Sequence, residues 1–425
     1  MMNIINSVIV LVIGFIYVWT LYGVPILIKG ISSLRNSKNK KADAFVGSFD
    51  ELPSISVIVP VKNEANVVGR LLSSLLKTDY PEEKREFIVV EDGSVDQTVN
   101  ICNDYAKEYP GQVKVICRSF SDGKPSALVE ALKHVKGDIV GVFDADNVVE
   151  EDALLRVAQH FEDSSVVAVQ GKVSAINAEE NMLTQLIAHE ETLRYDGFCR
   201  GKDALGLFVP LMGSNYFVKR DVLEAVGGWD SSVLSEDMEL AVRLIHNGKK
   251  IKYAPDVRSW QEYPRSMMSF FKQRIRWWRG SMEVGFKYGR LLRNPSRLSL
   301  DTELTLVGSF VFISYLMGYG VALFSLLVPL TPDFVTLFLA NLTSVFTLVL
   351  LALAGVLMLY TQKPRKLRNV LYVPLMYFYW IALNFVASYA LLQMIFQRPK
   401  RWNKTDKNGV IANASFTAQV ENVPV

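Results

Sequence analysis

Residues 137–147 read GDIVGVFDADN, a short apolar run that opens onto two aspartates one residue apart. Isoleucine, two valines and a phenylalanine in near succession form the pattern of a strand buried on both faces, as strands of a parallel sheet are. Asp144 and Asp146 then stand at its carboxyl end. In an open α/β sheet that edge is where ligands bind, and two carboxylates there can share a hard divalent cation with a phosphate-bearing substrate. Alone, an Asp-x-Asp is more often a solvated turn after a strand. What surrounds it decides between the two.

Outward from this strand the chain alternates. Residues 56–61 (SVIVPV), 86–90 (EFIVV), 113–116 and 166–170 have strand character, and residues 64–77 and 126–135 have helical periodicity. This alternation over 55–263 predicts an α/β domain with a doubly wound, mostly parallel sheet, since the units are too few to close a barrel.

Polar groups recur where these strands end. The first runs into PVKNE with Glu64, and the second into EDGS with Asp92, which is suited to accept hydrogen bonds from a base or sugar edge. A helix N-cap is the other role for Asp92, one that Ser94 or Asp96 could fill as well. Lys124, in DGKPSAL, precedes a helix whose backbone donors favour anions such as a diphosphate; as a local sequence it is equally a surface lysine. Glu236 and Asp237, in SEDMEL, open another helix. There they are either an acidic first turn favoured by the helix dipole or the source of a general base for an acceptor hydroxyl. In QRIRW, Gln273, Arg276 and Trp277 share one helix face. Arginine can grip a pyrophosphate through two parallel hydrogen bonds and tryptophan can offer a flat platform to a sugar, but bilayer interfaces also collect both residues.

Of the 425 residues 50% are hydrophobic, and the mean hydropathy of +0.19 suggests that part of the chain lies in lipid. The net charge of +3 gives no reason to expect a nucleic-acid partner, and three cysteines without metal spacing fit a reduced compartment. Residues 4–28 are long and apolar enough to span a bilayer. Lys29, Arg35, Lys38, Lys40 and Lys41 follow in a linker to residue 54, which by the positive-inside rule predicts a cytoplasmic domain next. Beyond it, 264–296 reads as an amphipathic interface helix, 303–397 holds about three spans, and 398–425 reads as a basic stretch followed by a disordered tail. Basic clusters lie on both sides of the last span, at 363–368 and 398–407, so either one apolar run is re-entrant or broken, with Pro329 or Pro374 as the break, or one of the clusters does not mark the inner side.

Taken together and in order, PVKNE, EDGS, DGK, DADN, SED and QRIRW, flanked by spans, resemble the membrane-integrated glycosyltransferases of family 2. That group includes cellulose, hyaluronan, chitin and poly-N-acetylglucosamine synthases and some glycolipid synthases. The tail 401–405 (RWNKT) also resembles a tryptophan-to-threonine motif that follows the last span, on the cytoplasmic side, in several members. The resemblance implies a sheet domain of glycosyltransferase A type, a UDP-sugar donor and Mg²⁺ or Mn²⁺. It implies that Asp92 meets the uracil, helped by Glu64 and Lys124, that Asp144 holds the nucleotide, and that Asp146, with Asp144, holds the metal. Asp237 would be the base beside Glu236; Gln273, Arg276 and Trp277 would line the acceptor end; Gly213, Ser214 and Asn215 would face the donor sugar. The expected enzyme is a multi-pass cell-membrane protein that adds sugars to a growing β-linked polysaccharide, with membrane lipids around it and an export subunit as a further partner. The alternative acceptor is a membrane lipid glycosylated at the cytoplasmic face. A scaffold that retains only nucleotide binding ranks below both.

Overall fold

The computed structural model describes residues 2–37, 49–119, 121–289, 296–327, 332–361, 367–399, 405 and 407–411. Two compact units are built from interleaved parts of the chain. One takes Met1–Ser37, Thr192–Leu207 and Phe271–Asn403, the other Lys38–Glu191, Phe208–Phe270 and Lys404–Val425.

The second unit is an eight-stranded mixed sheet with helices. Its strands are β1 (Ile55–Val61), β2 (Arg85–Glu91), β3 (Val113–Cys117), β4 (Ile139–Val142), β5 (Val148–Val149), β6 (Val166–Ala175), β7 (Tyr216–Lys219) and β8 (Lys250–Gln261). Their order is β3-β2-β1-β4-β7-β6-β8-β5. The first four in that order run parallel, in a register that aligns Val61 with Glu91 and Ile58 with Val142. β7 is antiparallel to both β4 and β6, and β8 runs parallel to β6. The predicted strands are all present, but the sheet is less parallel than the alternation implied. Residues 216–219 insert a reversed strand between β4 and β6, reached from β6 through residues 176–215, which include helices Met182–Thr192 and Arg200–Ala204.

The core follows from strand composition. β1 and β2 are buried almost throughout, and Val57, Val59, Phe87, Val89, Phe143 and Phe217 are fully enclosed. Helix Val68–Leu76 adds Val68, Leu71, Leu72 and Leu75 from one face, at the spacing that defines an apolar helical stripe.

The first unit is helical. Among the described residues four helices, Asn6–Asn36, Arg297–Leu327, Phe334–Thr361 and Asn369–Ile395, are long and apolar enough to cross a membrane. Pro374, a candidate break, is the third residue of helix Tyr372–Ile395, within the first turn where a missing N–H costs no bond. The run is therefore not broken there, while Pro329 and the basic loop 363–366 lie outside the described residues. Residues Thr192–Leu207, expected within the sheet domain, belong to this helical unit. Glycines make that possible: a Cβ on Gly30 would stand 2.2 Å from the Gly197 carbonyl oxygen, and one on Gly201 2.0 Å from that of Ile26. Such close backbone approach admits only glycine. A buried polar cluster adds to the contact, with Asp301 accepting from Lys202 Nζ at 3.2 Å and from the Tyr22 hydroxyl at 2.5 Å.

Candidate active site

The carboxyl edge of the parallel strands carries the polar groups. Asp92 follows β2, Asp144 and Asp146 follow β4, and Gly213–Asn215 lead into the reversed β7, so they reach the same edge. Lys124 and Glu236 are the first residues of helices Lys124–Leu132 and Glu236–His246, with Asp237 next.

Lys124 is the hub of this edge. Its Nζ donates to Asp144 Oδ1 at 2.6 Å and to the Gly213 carbonyl, and stands 3.6 Å from Glu236 Oε1. Burial pulls the Lys124 pKa down, but Asp144, Glu236 and Asp237 outweigh it and hold the ammonium above the ordinary lysine value. Gly213 adopts φ +76°, and a Cβ there would stand 3.3 Å from Asp237 Oδ2 and 3.6 Å from Lys124 Nζ. A glycine thus lets the loop turn and leaves room above both groups.

Asp237 is the titratable group that stands out. Burial and the neighbouring Glu236 push its pKa up to about 7, against the pull of Lys124. Only one of its oxygens is engaged by the following Met238 N–H, at 2.8 Å. The native state therefore binds more protons here than the unfolded chain between about pH 4 and 7, and the stability this group contributes below that window is lost as the pH rises through it. A carboxylate poised near neutrality is what general base chemistry requires.

Asp146 faces a different set. Its Oδ2 accepts the Glu262 N–H at 3.1 Å and the Lys407 ammonium at 2.5 Å. A carboxylate oxygen is the hard donor that Mg²⁺ or Mn²⁺ takes, and here it is held by the Lys407 ammonium. The Asp-x-Asp turn is fixed from below by Asn147, whose side chain donates to the Asp144 carbonyl and accepts from Ser259 Oγ at 2.9 Å.

Other expected residues hold the frame. Asp92 accepts from Arg118, from Ser121 Oγ at 2.6 Å and from the Gly123 N–H at 3.1 Å, so it orders the loop before Lys124. Glu64 gives its carbonyl to the N–H groups of Val67 and Val68 and starts the first helix. Ser214 Oγ accepts the Asp144 N–H at 3.1 Å. Asn215, expected to face the donor, is fully buried, with its amide donating to the Lys172 and Val257 carbonyls at 3.1 Å each. Its φ of +51° is one that asparagine tolerates better than most residues, so as placed it supports the loop from beneath.

QRIRW lies in helix Met267–Tyr288, and its residues 273–277 belong to the helical unit. Gln273 is buried and Arg276 half-buried, while Arg274, outside the face that the spacing singled out, is 1% exposed. The Arg274 guanidinium lies 4.1 Å from the Trp277 ring centre and that of Arg194 5.2 Å, so cations already occupy the indole.

Lys407, Glu262 and Arg118 were not anticipated as site residues. Glu262 and Lys407 owe their places to contacts across 116 and 261 residues of chain, beyond the reach of local pattern. Lys407 closes the expected basic stretch and Asn408 begins the tail expected to be disordered, yet Lys407–Gly409 make side-chain and backbone hydrogen bonds within the sheet unit.

The described residues thus combine a mixed sheet with acidic strand ends, a lysine among carboxylates and four membrane-length helices. The sequence profile described as "Glycosyltransferase like family 2" matches residues 53–280, more than half of the chain, and the protein belongs to that family. It is 29% identical to the probable glycosyltransferase YdaM of Bacillus subtilis, over 85% of this chain and 88% of that one. It is 31% identical to the β-monoglucosyldiacylglycerol synthase of Synechocystis over 71% of this chain, and 28% identical to the poly-β-1,6-N-acetyl-D-glucosamine synthase of Staphylococcus epidermidis over 55%. The matches span 62% and 56% of those two relatives. Among solved structures, a mannosyltransferase from Pyrobaculum calidifontis, in complex with GDP-mannose and Mn²⁺, shares the fold, with a TM-score of 0.56 and 20% identity over 91% of this chain and all of that one.

Proposed function

We propose that this enzyme transfers a sugar from a UDP-sugar to a hydroxyl of a membrane lipid at the cytoplasmic face, with inversion at the anomeric carbon. The observation that carries the chemistry is the place of Asp237: a half-buried carboxyl beside Glu236 and the Lys124–Asp144 pair, where desolvation and the Glu236 charge push its pKa up to about 7. A base of that strength takes the acceptor proton as the hydroxyl attacks, while the diphosphate leaves on the opposite side. Lys124, held protonated by its carboxylates, counters the charge that grows on the leaving group. Asp146, with Asp144, is the carboxylate set for Mg²⁺ or Mn²⁺, which would supply further charge neutralisation at the diphosphate. Glu64 and Asp92 serve the nucleoside side, Asp92 by ordering the Ser121–Gly123 backbone. Glu236 buffers Lys124, and Gly213 with Ser214 shapes the donor side. Gln273, Arg276 and Trp277 stay in the proposal as acceptor residues on the strength of the motif.

The lipid acceptor is favoured by similarity to β-monoglucosyldiacylglycerol synthases, at 31% and 34% identity. The polysaccharide reading retains the support of the poly-N-acetylglucosamine synthase relatives. Basic residues Lys29 and Arg35 at the end of the first apolar helix favour a cytoplasmic site.

Purified protein in lipid nanodiscs, given Mn²⁺ and labelled UDP-sugars, is expected to place label in the organic extract. Label in high-mass aqueous polymer would replace the lipid acceptor by a glycan and bring in an export subunit. Label from no UDP-sugar would overturn the donor class.

A further inference from the structure

The loop that brings Gly213 and Ser214 to the acidic edge is held by a side chain outside every motif, Gln170 of β6, which is fully buried in the sheet unit. Its Oε1 accepts the Met212 N–H at 2.8 Å, and its Nε2 lies 2.9, 3.0 and 3.2 Å from the carbonyl oxygens of Gly171, Ser214 and Asn215. An amide nitrogen carries two N–H donors, so these carbonyls share them. The stretch needs such a tie, because Gly213 has φ +76° and Asn215 φ +51°, and strand β7 begins only at Tyr216. Gly171, beside Gln170, makes room for it: a Cβ there would stand 2.5 Å from Asn215 Nδ2. The register of β6 against β8 jumps between Gly171 and Lys172, and Val257, left unpaired by the jump, offers its carbonyl to Asn215 Nδ2 at 3.1 Å.

What this loop delivers is a pair of contacts to the charged groups above it: the Gly213 carbonyl accepts from Lys124 Nζ, and Ser214 Oγ accepts the Asp144 N–H at 3.1 Å. We propose that Gln170 is a positioning residue for sugar transfer, which fixes the backbone of residues 212–215 and thereby sets where the Lys124 ammonium and the Asp144 turn stand. The idea rests on the reading that Lys124 meets the leaving diphosphate. Without the amide, buried carbonyls lose their donors and the loop moves to satisfy them elsewhere. Lys124 then loses an acceptor that holds it in place, and a charge misplaced by about 1 Å costs roughly 10²-fold in rate.

The test uses the full chain in nanodiscs with Mn²⁺ and the UDP-sugar it transfers. Gln170→Met, which keeps length and apolar packing but not the hydrogen bonds, is expected to lower kcat by about 10²-fold and to change the KM for the UDP-sugar far less. Hydrogen exchange followed by mass spectrometry, without donor, is expected to quicken over residues 212–215 and at Asp144 while β1 exchanges as in the parent. Gly171→Ala, which crowds Asn215 from the next position, is expected to move kcat and exchange in the same direction, and serves if Gln170→Met does not fold. Parent-like kcat and exchange in the variants, with Lys124→Met inactive, would overturn the role of Gln170 and leave that of Lys124. So would a rise in KM alone, or exchange that quickens equally in β1, the mark of a general loss of stability. If Lys124→Met turns over like the parent, the diphosphate reading fails and the role of Gln170 fails with it.

Discussion

Asp237→Asn is expected to bind UDP and Mn²⁺ as the parent does and to lose turnover by roughly 10²–10⁴-fold, the usual contribution of a positioned base. The substitution preserves shape and burial. It also keeps an acceptor for the Met238 N–H, so the start of helix Glu236–His246 should not move. What disappears is the group that takes the hydroxyl proton. An interaction made only as the proton transfers appears in kcat and not in donor affinity. Parallel measurement of UDP binding by calorimetry and of single-turnover rate separates the two. Equal losses in both would make Asp237 a structural residue of the donor site.

Lys124→Met is expected to abolish turnover at pH 7 and to recover part of it as the pH is raised toward 9. The lysine is the cation common to Asp144, Glu236 and Asp237. Without it three carboxylates face one another, and the influence that lowers the Asp237 pKa is gone. The sign follows: the Asp237 pKa moves above its parent value, the base is protonated at neutrality, and alkali restores it. Stability falls too, because removing one partner of a buried ion pair leaves the other uncompensated, at about 3–5 kcal/mol for a fully buried pair. Asp144 is 30% exposed at its side chain, so solvent screening places the loss below that range. A variant with the parent's pH profile would show that Lys124 and Asp237 are not coupled.

Much of this site was legible because its residues sit at the ends of local patterns. Asp92 and Asp144 each follow an apolar run that is a buried strand in the fold, and Lys124 and Asp237 each stand at the start of a helix. Strand end and helix start together specify one edge of an α/β sheet, so the convergence could be read without coordinates. What could not be read depends on pairing at long range. The reversal of β7 rests on register with both β4 and β6, and four residues carry no mark of direction. Arg274 rather than Arg276 is the most buried residue of QRIRW, because which helix face turns inward is set by what packs on it. The Thr192–Leu207 excursion into the helical unit rests on glycine contacts, and single glycines in a helical pattern do not reveal their neighbour. Lys407 looked like one more charge in a basic tail. Its meaning comes from Asp146 and Glu262, which a chain must fold to bring near it.

The placement of Asp237 as the base, on which the proposed mechanism turns, is tested most directly by the pH dependence of single-turnover sugar transfer, with UDP-sugar and Mn²⁺ held saturating at each pH. A base of pKa about 7 predicts a plateau in the alkaline range and a rate that falls tenfold per pH unit well below 7. A rate that stays level from pH 5 to 8 at saturation would contradict it.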